Sequence, residues 1–422
     1  MYSSGTAHSH YKQPTPAKIG FSARSYFHPL NTFLNKKLKS RGLLLMQLVL
    51  MIGLLATTSI QAAPFAYITN LNSGDLSVID TATQSEVARV NMGADKPGTV
   101  AVHPDGKTVV VGLEQLGLAF FDTTSNSVTD FMSLPGGITS IKLSEDGNTA
   151  FVTHAGGRDL LSIVDLQTHA VIKEISMFDV FHISLSIDGS ALYASSALGD
   201  FVARIDRSSY TVLDNLAVPG SPVYSVAHPS LNRLYVSSHS DDAITVIDTD
   251  GFSVVKTIAV GNEPNVMVLS PDGSKLYVAC QRDENSLWVI DTETETVTAA
   301  IPGPGEGSVS TDILPDGSEI YISNWSDDSV SVIDSQSLEI IKTIPVGSNP
   351  FSPGRFIGGP VTTLNGVVKR LSTKRIECHN FSTGQTVHIH SVKGLDRWDC
   401  EAAGLIVNVG DKISIRITGK AQ

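Results

Sequence analysis

The chain has 422 residues, with 42 acidic and 30 basic side chains, a formal net charge of −12 and three cysteines. The first 62 positions carry seven basic and no acidic residues, whereas residues 63–360 contain 37 acidic and 14 basic side chains. A surface this acidic repels phosphate backbones, so we exclude nucleic acid as a partner. A domain of about 300 residues buries about three quarters of its unfolded surface, so the central part of the chain needs no disulfide or metal to fold.

Residues 1–62 have the layout of a signal peptide. Basic residues from Lys36 to Arg41 precede an apolar run over residues 43–56, and Ala62 offers a small residue for cleavage. This run is shorter than the roughly 20 apolar residues that a transmembrane helix needs. We therefore expect export, cleavage near Ala62, and a periplasmic or secreted mature protein that has no transmembrane anchor.

One pattern then recurs seven times. The Asp that ends its middle strand returns every 41 to 43 residues, at Asp80, Asp122, Asp165, Asp206, Asp248, Asp291 and Asp334. The preceding strand is headed by Tyr67, Val110, Phe151, Tyr193, Tyr235, Tyr277 and Tyr321. A period of this length, built from short alternating strands and Pro-Asp-Gly turns without helical periodicity, is typical of a four-stranded propeller blade. The sequence therefore predicts an all-β fold, with a seven-bladed β-propeller over residues 63–358.

The two ends of the repeated region are unequal. The first unit begins at Phe65 and lacks the inner strand that precedes each later unit, whereas the last unit continues through residues 352–357. We expect this C-terminal segment to complete the first blade. Such a strand exchange between the chain ends removes two exposed sheet edges.

The strand motifs resemble those of a known family. Tyr67-Ile-Thr-Asn70, Tyr277-Val-Ala-Cys280 and Tyr321-Ile-Ser-Asn324 are similar to the motif that names the YVTN family of β-propeller repeat proteins. The resemblance covers about residues 65–358. It implies a seven-bladed propeller that is often exported. Its relatives range from binding and surface proteins to lyases and dehydrogenase subunits, so the resemblance implies no single activity.

The repeat stops at about residue 360. Residues 361–422 alternate as short strands divided by turn residues, which predicts a small, sandwich-like antiparallel β module. We expect Cys378 and Cys400 to form a disulfide in an oxidising compartment. Closing that loop contributes about 3 kcal/mol to the stability of so small a module.

One column of inner-strand side chains is predicted to face a solvated central channel. Its members are Ala101, Lys142, Ser184, Val226, Val268 and Asp312. Lys142 and Asp312 are its only charges, which makes them candidate ligand-binding residues. The alternative is that both are simply solvated along a wet channel, which is the commoner situation.

The loops from each outer strand to the next inner strand share a face with the turns between second and third strands. This loop face surrounds the channel mouth, and we expect ligands to bind there. The candidate ligand-binding residues on this face are His154, His182, His239, Arg282 and Trp325, and of these His154, His182 and Trp325 depart from the repeat. A cluster of imidazoles and carboxylates could ligate a divalent ion or carry out acid and base chemistry.

Acidic residues at one repeated position have a simpler interpretation. They are Asp75, Asp159, Asp200, Asp242 and Asp328. Because they recur at one position in each blade, we interpret them as turn formers that accept backbone N–H bonds.

The sequence favours binding over catalysis. It contains no Cys-x-x-Cys-His, no Gly-x-Ser-x-Gly and no phosphate-binding Lys loop. We predict a non-catalytic scaffold, without a cofactor, that presents its loop face to a protein partner or small ligand. One alternative is a metal-assisted lyase or lactonase that holds a divalent ion with His154, His182 and His239. A cell-envelope surface or structural protein is the second alternative.

Overall fold

A computed structural model describes residues 64–93, 95–154, 156–282, 285–303 and 307–358, together with the backbone of five short strands further along the chain. The chain divides into two units, residues 1–60 and 61–422, and all described residues belong to the second. The predicted signal peptide lies outside the described residues. Within them, no helix is long and apolar enough to cross a membrane.

Residues 64–358 form seven antiparallel sheets of four strands each, which confirms the predicted all-β, seven-bladed propeller. Sheet 1 contains Phe65–Asn70, Asp75–Asp80, Ser85–Asn91 and Ile357–Gly358. Sheet 2 contains Pro97–Val102, Thr108–Leu113, Gly117–Asp122 and Ser127–Ser133. Sheet 3 contains Ile138–Leu143, Thr149–His154, Leu160–Asp165 and Ala170–Ser176.

The remaining four sheets continue in chain order. Sheet 4 contains Val180–Leu185, Ala191–Ser196, Phe201–Asp206 and Thr211–Ala217. Sheet 5 contains Pro222–Ala227, Arg233–Ser238, Ala243–Asp248 and Ser253–Ala259, with a 3₁₀ turn at His239–Asp241. Sheet 6 contains Pro264–Leu269, Lys275–Cys280, Asn285–Asp291 and Thr296–Pro302. Sheet 7 contains Ser308–Ile313, Glu319–Asn324, Ser329–Asp334 and Ile340–Pro345.

The first strand of each of sheets 2 to 7 is the inner strand, because the first strands of consecutive sheets from 2 to 7 contact one another around the channel. Second strands are almost wholly buried, whereas outer strands such as Ser85–Asn91 alternate between exposed and half-buried side chains. The motif residues Tyr67, Tyr235, Tyr277 and Tyr321 are among the largest fully buried side chains. They pack between neighbouring sheets, and burial raises the pKa of Tyr277 to about 12.

The inner strand of sheet 1 comes from the far end of the propeller. Gly358 pairs with Phe65 and Ile357 with Ala66 in antiparallel register. The segment leading into it, residues 349–356, follows the same edge, since the Tyr67 N–H donates to the Phe356 carbonyl at 2.9 Å. Sheet 1 therefore contains segments from both ends of the repeated region.

The interpretation of the repeated acidic residues as turn formers is confirmed at four of five positions. The backbone φ angles of Asp159, Asp200, Asp242 and Asp328 lie at 51° or 52°, a left-handed conformation that Asp tolerates better than most side chains. Each carboxylate accepts a backbone N–H from the loop that enters the next sheet, at 2.8 or 2.9 Å. Asp75 differs, because it begins a strand and Gly74 takes the left-handed position.

The C-terminal region contributes two small antiparallel sheets of described backbone. Asn365–Val367 pairs with Arg397–Asp399. Arg375–Asn380 lies between Thr386–His390 and Ile413–Thr418. The predicted disulfide involves Cys400 and the side chain of Cys378, both outside the described part of the structure, so it stays a prediction.

Candidate functional site

Five polar side chains from different inner strands approach one another in the channel. This channel cluster consists of Lys142 of sheet 3, His182 of sheet 4, Tyr224 of sheet 5, Asp312 of sheet 7 and Arg355 of the segment entering sheet 1. The Asp312 charge acts on both Lys142 and Tyr224. Because sheets 3 and 5 do not adjoin sheet 7, these interactions cross the channel. The two predicted channel residues, Lys142 and Asp312, are thus brought together.

Asp312 is buried rather than solvated as the sequence suggested, with 5% of its surface exposed. Its Oδ2 accepts the backbone N–H groups of Phe356 at 2.9 Å and Ile357 at 2.8 Å. Burial raises the pKa of this carboxyl to about 6, although the Arg355 charge and the backbone donors oppose the rise. Asp312 therefore both holds the segment that enters sheet 1 and titrates close to neutrality.

Lys142 and Arg355 bring two positive charges into the same space. Burial lowers the pKa of Lys142, and the Arg355 charge lowers it further, while Glu145 and Asp312 oppose the shift. Across the described residues, no carboxylate oxygen lies within 4 Å of either basic group. The cluster thus contains two cations and a single carboxyl group that is itself easily protonated.

His182 lies against Tyr224, with 3.7 Å between the two ring centroids. Its Nδ1 accepts the backbone N–H of Ser225 at 3.2 Å. Burial lowers the pKa of His182 well below its ordinary value, and the Lys142 charge adds to the effect. His182 is therefore neutral, and because Nδ1 is an acceptor, its proton resides on Nε2.

A second group of polar residues lies on the loop face between sheets 5 and 6. This His239 cluster consists of His239, Glu263 and Arg282. The His239 Nδ1 lies 3.2 Å from the Pro264 carbonyl, which can only accept, so Nδ1 carries the proton of the neutral ring. Arg282 pairs with Glu263 at 3.1 Å and is 73% exposed. The His239 Nε2 is 3.8 Å from Glu263 Oε2, beyond hydrogen-bonding distance.

Trp325 lies on the same face, where sheet 7 meets the segment entering sheet 1. Its ring packs edge-on against Phe351, with centroids 5.7 Å apart. Its carbonyl accepts the Asn349 side-chain amide at 3.0 Å. Two aromatic rings and a fixed loop therefore form a partly exposed wall at this junction.

His154 does not join the other histidines. It is 0% exposed, and its Nε2 lies 3.0 Å from the Ser162 Oγ of the neighbouring strand. Burial lowers the pKa of His154. Across the described parts of residues 64–358, no group of three or more His, Cys, Asp or Glu side chains is placed to hold a metal ion. The expected triad of His154, His182 and His239 is thus not assembled.

Sequence reasoning missed two members of the channel cluster. Tyr224 pairs with Ser237 as His182 pairs with Ser195, so the two rings occupy equivalent positions in adjacent sheets. That equivalence could have been found by aligning the repeats around His182. Arg355 lies within the segment predicted to complete the first blade. Its positive charge in a predicted inner strand was the signal that could have identified it as a channel residue.

The fold and this site define a seven-bladed propeller with a charged channel. Residues 240–357 match the family described as "Cytochrome D1 heme domain". The match covers less than half of the chain, so it does not assign the whole protein to that family. The chain is also 33% identical over 113 residues to Pre-mRNA-processing factor 19 of Schizosaccharomyces pombe, a match that spans 26% of this chain and 23% of that relative's length.

Solved structures with the same fold are distant in sequence. Dihydro-heme d1 dehydrogenase NirN in complex with DHE is 16% identical, with a TM-score of 0.57 over 70% of this chain and 75% of that one. A functionally unknown protein from Desulfotomaculum acetoxidans is 15% identical, with a TM-score of 0.59 over 68% of this chain and 99% of its own. Kuenenia stuttgartiensis hydrazine synthase is 18% identical, with a TM-score of 0.56 over 70% and 96%. These matches support the propeller, while the resemblance to the YVTN family stays a prediction.

The sequence-based prediction of no cofactor is wrong. The match of residues 240–357 to a family described as a haem domain is the finding that overturns it. The missing Cys-x-x-Cys-His motif excludes only covalent c-type attachment. A haem that is bound without covalent attachment needs an axial ligand and a surface, and neither leaves a contiguous motif in the sequence.

Proposed function

We propose that the protein is a binding scaffold whose loop face takes a haem-type macrocycle, with His239 as the residue that ligates the iron. The matched stretch, residues 240–357, does not include this histidine but includes its neighbours Glu263, Pro264 and Arg282. The similarity to NirN in complex with DHE supports the same cofactor class. The observation that carries the proposal is the hydrogen-bonding state of His239.

A ligating histidine normally donates its other ring N–H to a carbonyl or carboxylate, which fixes the tautomer. His239 has this arrangement, since its Nδ1 donates to the Pro264 carbonyl at 3.2 Å and Nε2 keeps its lone pair. His182 has the opposite arrangement, because its Nδ1 accepts the Ser225 N–H. His154 is buried and faces Ser162. Of the three candidate histidines, His239 alone fits an iron.

The number of ligands favours a macrocycle over a bare divalent ion. A protein zinc site needs three or four side-chain ligands, whereas a haem supplies four ring nitrogens and needs only axial ligands from the protein. Within the described residues no cluster of three ligands exists, but one suitable imidazole does. The geometry therefore favours the haem proposal over the metal-assisted lyase or lactonase.

Other residues of the loop face are available for further contacts to such a ring. Glu263 holds the Arg282 guanidinium at 3.1 Å, and this exposed guanidinium can pair with carboxylates at the edge of a macrocycle. Trp325 and Phe351 offer apolar surface on the same face. When bound, the iron would supply electron transfer or the binding of a small axial ligand.

A haemin titration of the purified mature protein tests this proposal. We expect a saturable shift of the Soret band in the wild type and about a tenfold or greater loss of affinity in His239→Ala. His169→Ala is the matched control, because His169 lies on the turn that joins Leu160–Asp165 to the outer strand Ala170–Ser176 and should leave the titration unchanged. No Soret shift in the wild type, or equal affinity in His239→Ala, contradicts the proposal.

We also propose that the protein is exported and is processed near Ala62, as the basic and apolar N-terminal pattern predicts. N-terminal sequencing of protein purified from the native host tests this. A mature chain that begins close to residue 63 is the expected result, and recovery of the intact N-terminus contradicts it.

A further inference from the structure

We propose that the central channel contains a binding site for a small oxyanion, formed by the side chains of Lys142 and Arg355. This site does not depend on the haem proposal, because it uses neither His239 nor the loop face. The ligand chemistry is that of a compact anion with several acceptor oxygens. An inorganic anion such as phosphate and a small carboxylate both meet this description.

Register places the charged residues at one level of the channel. Lys142 pairs with Phe151 in sheet 3, and Asp312 pairs with Tyr321 in sheet 7, so they occupy equivalent positions in their inner strands. The Arg355 backbone is held beside them, because its carbonyl accepts the Val102 N–H at 3.0 Å. The N–H of the next residue along the chain, Phe356, donates to Asp312 at 2.9 Å.

The charges at this level do not balance. Two carboxylates act on Lys142, but the Oδ2 of Asp312 already accepts the N–H groups of Phe356 and Ile357, and Glu145 is paired with Arg207 at 2.9 Å. No carboxylate in the described chain lies within 4 Å of Lys142 or Arg355. Arg355 is exposed and Lys142 is partly exposed, so an anion can enter between the two cations and relieve their mutual repulsion.

The surroundings suit a small polar ligand. Lys142 remains partly accessible to solvent, so an ion can reach it along the channel. The adjacent inner strands contribute the hydroxyls of Ser184 and Ser225, 2.9 Å apart. A guanidinium presents paired N–H donors that match two oxygens of one anion, while an ammonium acts as a point charge. Lys142 and Arg355 together therefore favour an oxyanion over a halide.

Isothermal titration calorimetry with sodium phosphate and, separately, sodium acetate tests the proposal on the mature full-length protein. We expect saturable binding of at least one of these anions, and the stronger of the two identifies the ligand source. Lys142→Met and Arg355→Gln should each weaken binding by about tenfold or more, as expected for loss of a charge-assisted contact. Lys342→Met removes an exposed lysine from the outer strand Ile340–Pro345 and serves as the matched control.

Thermal unfolding of the wild type provides a readout that needs no variant. The midpoint temperature of unfolding should rise when the anion that binds in calorimetry is added, because ligand binding stabilises the folded state. Chloride at equal ionic strength should not raise it. His239→Ala should bind the anion as the wild type does, which separates this site from the haem site. The proposal is overturned if neither anion binds, if Lys142→Met binds as tightly as Lys342→Met, or if chloride gives the same midpoint.

Discussion

Replacing Asp312 with asparagine should stabilise the propeller near neutral pH and have little effect in acid. Asparagine has the same shape, and its carbonyl oxygen can still accept the N–H groups of Phe356 and Ile357 that Asp312 Oδ2 accepts at 2.9 and 2.8 Å. The change removes the buried negative charge, together with the Oδ1 atom that accepts the Ile313 N–H at 2.9 Å. The effect on stability should therefore follow the titration of this one carboxyl group.

The magnitude follows from the shift in pKa. Burial raises the pKa of Asp312 from 3.8 to about 6 in the folded protein, so the folded state binds the proton more tightly than the unfolded state. The stability contributed by this group is complete below pH 3.8 and is lost as the pH rises through about 6. A shift of about two pKa units corresponds to about 3 kcal/mol at about 1.36 kcal/mol per unit.

Urea unfolding of the wild type and Asp312→Asn at a series of pH values between 4 and 8 measures this effect. Taking the difference between the two proteins cancels every other titrating group. The advantage of Asp312→Asn in free energy of unfolding should grow by roughly 2 to 3 kcal/mol over that range. Asp214→Asn, on the exposed outer strand Thr211–Ala217, is the matched control for removing a carboxyl group outside the channel. A flat profile for Asp312→Asn would refute the reasoning.

Three further predictions concern the ring and its turns. A stop codon after Val346 removes the strand that pairs with Phe65–Asn70 and exposes the edge of that sheet. We expect a lower midpoint of urea unfolding and association through this edge, which size-exclusion chromatography would detect. An unchanged midpoint and a monomeric protein would contradict this. Phe121→Ala deletes a fully buried ring and should cost about 3–5 kcal/mol in urea unfolding, and a cost below about 1 kcal/mol would show that the site collapses freely. Asp242→Ala loses the bond to the Glu263 N–H and keeps a left-handed φ of 52°, so thermal unfolding should report a loss of about 1–3 kcal/mol. Asp242→Gly should recover part of that loss, and equal losses in both variants would argue against backbone strain.

The repeat allowed the propeller fold to be predicted from the sequence. The turn aspartates and the buried strand-heading tyrosines are set by local patterns, namely a period-2 strand, a Pro-Asp-Gly turn and a fixed blade length. Asp242 and Asp328 needed no tertiary information to be interpreted as turn formers, because the same residue returned at the same position of each unit. The count of seven blades followed from the same regularity.

The positions of the candidate functional side chains were harder to predict, because these residues do not recur from one repeat to the next. His154 was expected on the loop face, but the strand that ends with it directs the ring into the sheet packing, where it meets Ser162. The protonated nitrogen of His239 depends on a carbonyl 25 positions further along the chain, Pro264. A non-covalent haem site has no contiguous motif, so the lack of such a motif in the sequence was not evidence against haem binding.

The sequence by itself determined the blades, their number and the turns between them, because each of these depends on residues that are close together along the chain. Only the tertiary structure decided which charges meet. Lys142 and Asp312 are 170 positions apart, and Arg355 follows later still, yet strand register and the order of the inner strands bring them together across one channel. Burial in that shared space then raises the pKa of the Asp312 carboxyl and lowers that of the Lys142 ammonium, because both charged forms lose water.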